Sequence, residues 1–388
     1  MIRRNILLLP LLILLWTSSF GQFIRKTVQH DGETRTYLIH LPSGYNGETN
    51  LPLVINLHGF GSNATEQSVY SRFNFLSDVN DFIVVYPEGL VATLPLGTGQ
   101  HWDAYFGTGV DDLGFIDLMI DLLWNEYSID LSRVYATGMS NGGYMSFMLA
   151  CELSDRIAAI GSVTGSMVRD SFTQCDPQRP VPVIQFHGTD DGVVAYDGSD
   201  FGYSIPDVMN YWVEQNTCAG DPVITELEDT DPDDNSTVTR TVYSNCEGEV
   251  AVDFYRINGG GHTWPGAIID QPQLGVTNKD ISAHTLIWEF FTNYTHPNPR
   301  EPRIITSLDE AIAKGTAIYP TLASDRLRIH IEQPAVLSII NLKGSTVTQD
   351  QLSPGDHSLN IISWPQGAYI VRLIQADGSV FSERIIKI

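Results

Sequence analysis

The 388-residue sequence predicts an α/β protein: a doubly wound, mostly parallel sheet followed by a small C-terminal β-sandwich. Two observations favour this fold class. Up to about residue 303, short apolar runs rich in β-branched residues alternate with helical patterns, which is typical of a parallel sheet with helices on its faces. Beyond residue 316, short alternating runs follow one another without a helical pattern, as in an antiparallel sandwich.

Periodicity places the elements of the first region. The predicted strands are 37–41, 53–57, 83–86, 134–137, 158–163, 181–186 and 250–255. Apolar side chains at three- and four-residue spacing predict helices over 115–127 and 281–294, and a further helical stretch covers 144–149.

The composition excludes several classes of protein. Hydrophobic residues make up 43% of the chain and charged residues 18%, which is enough apolar content for packed cores. Acidic residues number 46 against 22 basic ones, giving a formal charge of -24. Such a charge repels phosphate backbones and anionic lipid headgroups, so we expect no nucleic-acid partner.

The first residues have the pattern of a secretory signal peptide. Arg3 and Arg4 precede the apolar run 6–16, which small and polar residues follow. That run is too short to cross the roughly 30 Å hydrocarbon core of a bilayer. We expect cleavage after Gly21, removal of 1–21, and an extracellular mature protein without a transmembrane segment.

Four cysteines suit an exported protein, in which disulfides persist. Three pairings are possible. Sequential pairing, Cys151 with Cys175 and Cys218 with Cys246, closes the two shortest loops and is the pairing we expect. Buried free thiols are the alternative.

A proline-rich stretch divides the chain. Three prolines between 296 and 302 remove backbone donors and disfavour a helix, as expected of a linker. We therefore predict one domain over 22–295, a linker over 296–315 and a second domain over 316–388. The second domain has strand-like runs at 326–331, 335–342, 369–374 and 380–388, with Asp377-Gly378 as a hairpin turn.

The sharpest chemical signal is Gly138-Met139-Ser140-Asn141-Gly142, between the strand 134–137 and the helix 144–149. It matches the G-x-S-x-G nucleophile elbow of an α/β-hydrolase. So tight a turn needs small residues two before and two after the serine, and it lifts the hydroxyl above the sheet edge. A chance match or a structural turn is the alternative, but the strand and helix on either side favour Ser140 as a nucleophile.

A serine nucleophile needs a histidine base and a carboxylate that orients the base. In an α/β-hydrolase the acid follows the serine along the chain and the histidine comes last. The strand 181–186 runs into His187-Gly-Thr-Asp190-Asp191, and the strand 250–255 leads to the Gly-rich loop that carries His262. Both loops follow strands at their carboxyl ends, where open α/β sheets hold their sites.

Backbone donors for a tetrahedral oxyanion are also predicted. Leu57-His-Gly-Phe-Gly61 follows the strand 53–57, where this fold presents its first oxyanion N–H group. We assign the N–H groups of Phe60 and Asn141, although Leu57–Gly61 alone would pass for an ordinary Gly-rich turn.

Aromatic and acidic residues near these motifs are further candidates for ligand contacts. Trp102 and Trp264 are candidates for an acyl or aromatic pocket, with a place in the core as the alternative. Asp229, Asp231 and Asp233 alternate as in a calcium loop, but Arg240 stands where that loop requires glutamate. The sequence therefore predicts no metal site, and the triad chemistry needs no cofactor.

Six motifs in order give the region 22–295 a family resemblance. It resembles the secreted polyhydroxybutyrate depolymerase-like and feruloyl esterases of carbohydrate esterase family 1. The resemblance implies the triad Ser140, Asp191 and His262, since the family pattern leaves Asp190 in a variable slot, and it fits the sequential disulfides. The motifs are LHGFG (57–61), YPEG (86–89), DDLGFI (111–116), GMSNGG (138–143), HGTDD (187–191) and GGHTWPG (260–266).

The C-terminal region resembles the type A sorting domain of type IX secretion. The resemblance rests on Tyr319-Pro320, Ala323-Ser-Asp325, Gly367-Ala-Tyr-Ile370 and the terminal run 383–387. Thr321-Leu322 departs from the Asn-Pro that is usual there. A carbohydrate-binding module is the alternative, but Trp364 is the only tryptophan of this region.

Together these features predict an exported serine esterase that acts on carboxylic esters, with a polymer-linked ester (plant polysaccharide or polyester) as substrate. The type IX secretion machinery would be its partner through the C-terminal domain. An acetyl-xylan esterase and a secreted serine peptidase are the alternative enzymes. The non-enzyme alternative is a surface-displayed binding protein with a relic site.

Overall fold

The computed structural model describes residues 21–94, 97–303, 316–319, 322–323, 326–331, 333–341, 345–375 and 380–387. The predicted signal peptide lies outside the described residues except for Gly21. The same holds for the linker from residue 304 onward, for several residues of the sorting-domain motifs and for the turn at Asp377-Gly378. The domain bounds therefore stay a prediction.

Before residue 303, the described strands form one large sheet and one separate pair. In chain order they are β1 (Gln22–His30), β2 (Glu33–Leu41), β3 (Leu51–Leu57), β4 (Ile83–Pro87), β5 (Leu90–Leu94), β6 (Gly97–His101), β7 (Ile129–Met139), β8 (Ala159–Val163), β9 (Val183–Gly188), β10 (Val223–Glu226), β11 (Thr237–Tyr243) and β12 (Val252–Asn258). Ten of these form the large sheet in the order β1-β2-β4-β3-β7-β8-β9-β12-β11-β10, and β5 pairs with β6.

The centre of the large sheet is parallel and its two margins are antiparallel. The strands from β4 through β3, β7, β8 and β9 to β12 pair in parallel. β1 and β2 at one margin, and β11 and β10 at the other, pair antiparallel. The parallel centre confirms the predicted α/β-hydrolase fold class.

Helices cover both faces because successive side chains of a strand point to opposite sides. The helices are α1 (Ala64–Ser71), α2 (Phe73–Asn80), α3 (Asp112–Glu126), α4 (Asn141–Glu152), α5 (Ile205–Gln215) and α6 (Ala283–Phe291). Leu53 and Ile55 of β3 pack in one core with α3, α4 and α5, whereas Val54 packs in the other core with α1, α2 and α6.

The predicted strands all recur, with shifted ends, but the sequence pattern missed several elements. β1, β10 and β11 mix polar with apolar residues, because a marginal strand buries only part of its surface, and they lack the continuous apolar runs of the central strands. α5 carried readable signals: Ser204 caps its first turn through the N–H of Asp207, and a proline lies in that turn.

The C-terminal region folds around a core of its own. Its strands are β13 (Thr316–Tyr319), β14 (Leu322–Ala323), β15 (Arg326–Ile331), β16 (Ala335–Asn341), β17 (Thr346–Leu352), β18 (Gly355–Asn360), β19 (Gly367–Gln375) and β20 (Val380–Lys387). They form a three-stranded and a five-stranded sheet. Leu327 and Ile329 of the first sheet share a buried apolar cluster with Leu337 and Val371 of the second, as predicted for a small β-sandwich.

Covalent and ionic links reinforce the first region. The structure pairs Cys151 with Cys175 and Cys218 with Cys246, the sequential pairing that the sequence predicts. Residues 296–303, which the sequence assigns to the linker, are held on this region by ion pairs: the Arg300 guanidinium lies 2.5 Å from Asp117, and that of Arg303 lies 2.7 Å from Asp121. Within the described ranges, none of the helices has the length and apolarity that crossing a bilayer requires.

Candidate active site

Ser140 lies in a strained turn between β7 and α4. Its backbone has φ 55° and ψ -120°, a region that residues with a side chain rarely adopt. Its N–H donates to the carbonyl of Val163, at the end of the neighbouring strand β8. The turn therefore holds the serine at the carboxyl edge of the sheet, as the G-x-S-x-G pattern predicts.

The glycines of the elbow are needed for space. A Cβ on Gly138 would lie 2.5 Å from the carbonyl oxygen of Gly142, and a Cβ on Gly142 would lie 2.3 Å from that of Leu57. Both distances are far inside van der Waals contact. Positions 138 and 142, two residues before and two after the serine, must therefore be glycine for β7, α4 and the end of β3 to pack together.

The structure brings Asp191 and His262 into direct contact. His262 Nδ1 lies 2.8 Å from Asp191 Oδ2, although the two residues are 71 positions apart. The second carboxylate oxygen, Oδ1, accepts from the N–H groups of Val193 and Val194, each at 2.8 Å. Both side chains are buried. The carboxylate is thus fixed at both oxygens, and the imidazole is held by one of them.

These contacts settle the protonation of the pair. Burial alone would raise the pKa of Asp191, but the hydrogen bond from His262, the electrostatic attraction of the His262 and His187 rings and the Val194 N–H hold the pKa below its usual range. An ionised carboxylate only accepts hydrogen bonds, so Nδ1 of His262 is the protonated ring nitrogen. Nε2 is then left with a lone pair, which is what a general base requires.

Asp190 has a different environment from its neighbour. Its side chain is exposed and accepts a hydrogen bond at 3.1 Å from the hydroxyl of Thr189. Consecutive residues of an extended turn point in different directions, so only one of the two carboxylates reaches the imidazole.

The acid loop and the histidine loop pack backbone against backbone. The N–H of Asp190 donates to the carbonyl of Gly260 at 2.9 Å, and a Cβ on Gly188 would lie 2.1 Å from that same oxygen. On its other side, the histidine loop donates from the His262 N–H to the carbonyl of Leu274 at 2.7 Å. Glycine at these positions allows the contact that fixes the imidazole.

Phe60 and Asn141, the two predicted oxyanion donors, lie on neighbouring segments of the structure. Phe60 follows β3, and its N–H has no acceptor among the described residues. Asn141 is the first residue of α4, where the N–H groups of a helix have no intrahelical partner. A Cβ on Gly59 would lie 3.4 Å from Cβ of Ser140, so the Phe60 loop and the serine are adjacent.

The structure corrects the expectation for the two tryptophans. Trp102 and Trp264 have 0% exposed surface, so neither side chain is available to a substrate. Trp264 packs edge-on against Phe73, and Trp102 donates from Nε1 to the carbonyl of His58 at 3.0 Å. The sequence places Trp264 two residues from His262, but it does not show that either tryptophan side chain points into the core.

Two buried histidines beside the site were not predicted from the sequence. His187 donates from Nε2 to the carbonyl of Val194 at 2.9 Å and lies 3.4 Å from the Asp191 carboxylate. Burial lowers the pKa of His187 to about 4, and burial likewise lowers that of His58 to about 4. Both rings are neutral near pH 7, and both lie within the motifs that the sequence singles out.

Comparison with known proteins agrees with this geometry. Residues 35–176 match the family described as Esterase PHB depolymerase. Over these residues the chain is similar to this esterase family. Residues 317–387 match the secretion system C-terminal sorting domain, which confirms the resemblance seen in the C-terminal sequence.

Two curated relatives and one solved structure illustrate the likeness. Feruloyl esterase B of Piromyces equi is 30% identical over 240 residues, which cover 59% of this chain and 42% of the relative. The bifunctional acetylxylan esterase/xylanase XynS20E of Neocallimastix patriciarum is 28% identical, over 67% of this chain and 34% of the relative. The chain thus spans less than half of the length of both. The S954A mutant of the feruloyl esterase module of Clostridium thermocellum, complexed with sinapinate, is 15% identical with a TM-score of 0.48, over 73% of this chain and 91% of that one.

Proposed function

We propose that the chain is an exported serine hydrolase of carboxylic esters, with Ser140 as nucleophile, His262 as base and Asp191 as the orienting acid. The observation that carries the proposal is the hydrogen bond from His262 Nδ1 to the ionised, doubly anchored Asp191, at the same sheet edge as a serine in a strained elbow. That bond leaves Nε2 free to accept a proton, and a serine hydroxyl needs such a base at neutral pH.

The reaction runs in two halves through an acyl-enzyme. Nε2 of His262 takes the hydroxyl proton as Oγ of Ser140 attacks the ester carbonyl carbon, and the N–H groups of Phe60 and Asn141 stabilise the oxyanion. The intermediate collapses, the ester C–O bond breaks, and His262 gives its proton to the leaving alcohol. A water molecule then repeats the sequence on the acyl-serine, which releases the acid and restores Ser140.

The substrate we propose is an ester of a polymer outside the cell. The sorting-domain match at 317–387 supports export through a secretion system that reads that domain. The names of the relatives favour feruloyl or acetyl groups on a polysaccharide, and the family description adds polyester oligomers. No feature of the described site favours an amide substrate over an ester.

Turnover of p-nitrophenyl acetate by Ser140→Ala tests the mechanism. We expect turnover to fall by a factor on the order of 10⁶, because the members of a triad act as a unit. Ser77→Ala is the matched control: this buried serine donates to the carbonyl of Phe82, far along the chain from the site, and its variant should turn over like the wild type. Retention of a tenth of the activity by Ser140→Ala would overturn the proposal.

The acyl and alcohol groups are then assigned by a substrate panel. Purified protein is assayed against methyl ferulate, acetylated xylan and short 3-hydroxybutyrate oligomers, with Ser140→Ala as the blank. A preference of at least tenfold in kcat/KM for one of the three decides among the feruloyl, acetyl and polyester functions.

A further inference from the structure

Trp102 is bonded to both halves of the proposed oxyanion hole. Its indole Nε1 donates to the carbonyl of His58 at 3.0 Å, in the loop that carries Phe60. Its backbone N–H donates to Oδ1 of Asn141 at 2.7 Å, and Nδ2 of Asn141 donates back to the Trp102 carbonyl at 3.0 Å. One buried residue therefore joins the loop after β3 to the first turn of α4.

The strand that leads into Trp102 holds the same loop. The N–H of Gly61 donates to the carbonyl of Gln100 in β6 at 2.8 Å. The ring of His58 lies between two backbone groups: Nε2 accepts from the N–H of Gly89 at 3.0 Å, and Nδ1 donates to the carbonyl of Gly59 at 2.7 Å. A Cβ on Gly99 would lie 2.9 Å from Cα of Gly61, so β6 and the loop are in close contact.

This arrangement matters because an oxyanion hole needs two donors aimed at one point. Here the donors belong to separate segments, Phe60 after β3 and Asn141 at the start of α4. Backbone contacts at Gly59 and Gly142 keep the segments adjacent, and the hydrogen bonds of Trp102 add directional links between them. A donor displaced by about 1 Å loses much of its effect on the transition state, at a cost of about 100-fold in rate.

We infer that Trp102 is a positioning residue that sets the distance and angle between the two oxyanion donors. It contacts neither substrate nor reacting atoms, and it acts through the loop at His58 and the side chain of Asn141. The inference rests on the proposed function, because it assigns a role toward an oxyanion. Since the oxyanion hole binds the tetrahedral state more tightly than the ester, loss of the Trp102 hydrogen bonds should lower kcat and leave KM nearly unchanged.

Trp102→Phe compared with Trp212→Phe tests the inference. Both tryptophans have 0% exposed surface, so both changes leave a similar gap in the core. Nε1 of Trp102 makes the hydrogen bond to His58, whereas Nε1 of Trp212 in α5 is buried without a partner among the described residues. Only the first change removes a bond to the oxyanion loop.

The measurements are kcat and KM for p-nitrophenyl acetate and the inhibition constant of phenylboronic acid, which adds to the serine as a tetrahedral anion. For Trp102→Phe we expect kcat to fall by about 10- to 100-fold, KM to stay within about threefold, and the inhibition constant to rise in step with the loss of kcat. Trp212→Phe should keep all three within about threefold of the wild type. A fall in the folded fraction would lower apparent kcat but leave the inhibition constant unchanged.

Asn141→Ala is the second variant and is used if Trp102→Phe does not fold. It removes the hydrogen bonds between the Asn141 side chain and the Trp102 backbone but keeps the backbone N–H of residue 141. We therefore expect kcat and the inhibition constant to change as for Trp102→Phe. Unchanged values in a folded Trp102→Phe, with Ser140→Ala inactive, would overturn the positioning role and leave the proposed function standing. A wild type that neither turns over the ester nor binds the boronic acid would overturn both.

Discussion

Replacing Asp191 by asparagine tests the acid assignment through the hydrogen-bond geometry of that side chain. Oδ1 of Asp191 faces two backbone donors, the N–H groups of Val193 and Val194, each at 2.8 Å. In Asp191→Asn the amide oxygen must stay on this side, because the amide NH₂ would otherwise meet two N–H groups. The NH₂ group is therefore turned toward His262.

The consequence for His262 is the wrong tautomer. An amide NH₂ donates and cannot accept, so Nδ1 of the imidazole must present a lone pair and the ring proton moves to Nε2. Nε2 can then no longer take the proton of Ser140. In serine proteases the same replacement keeps the geometry but lowers kcat by about 10⁴. That factor corresponds to about 5 kcal/mol of transition-state stabilisation.

The assay compares Asp191→Asn with Asp190→Asn on one chromogenic ester, with thermal unfolding as the check on folding. Asp190 is the matched control, since it is the adjacent carboxylate but is exposed and accepts its hydrogen bond from the Thr189 hydroxyl. We expect a loss of about 10⁴ in kcat for the first variant and a change of less than about tenfold for the second. The opposite ranking, or a tenth of wild-type activity in Asp191→Asn, would refute the reasoning.

Two further predictions concern stability. Burial lowers the pKa of His58 and of His187 to about 4. Between about pH 6.5 and 4 the unfolded chain therefore binds more protons than the folded one. As the pH drops through that window, the free energy of unfolding should fall by up to about 3 kcal/mol for each histidine. Urea unfolding at pH 7.5, 6.5 and 4.5 measures this; a flat profile below pH 6.5 would contradict it. Replacing Cys218 and Cys246 together by alanine should lower the urea midpoint, because loss of a disulfide with a sequence separation of 28 lowers the free energy of unfolding by about 3.6 kcal/mol. An unchanged midpoint would show that this disulfide does not stabilise the fold.

How much the sequence predicts depends on the distance between the interacting groups along the chain. The elbow at Ser140 was predictable because its requirements are local: a strand, two glycines and a helix within a few residues. The central strands were predictable because burial on both faces gives continuous apolar runs. β10 and β11 were not predictable, because these marginal antiparallel strands lack such a continuous apolar run.

The pairing of Asp191 with His262 was reachable by a different kind of reasoning. The two residues are 71 positions apart, but chain order and loop position narrow the candidates to a few. The pocket assignment of Trp102 and Trp264 was wrong because the position of a residue in the sequence does not show whether its side chain points toward the site or into the core. Only packing decides that, and here both rings lie in the core.

The sequence did not predict that Trp102 and His58 hold the loops of the site, because both side chains bond to backbone groups. Trp102 Nε1 bonds to a carbonyl 44 residues away, and His58 Nε2 to an N–H 31 residues away. Every residue except proline has the same backbone donor and acceptor, so no pattern of side chains marks such a contact. A carbonyl cannot be removed by substitution at its own position, whereas the side chain that bonds to it can. The geometry of the proposed oxyanion hole is therefore adjustable at Trp102 and Asn141, and substitutions there would change the rate of acyl transfer without touching the triad.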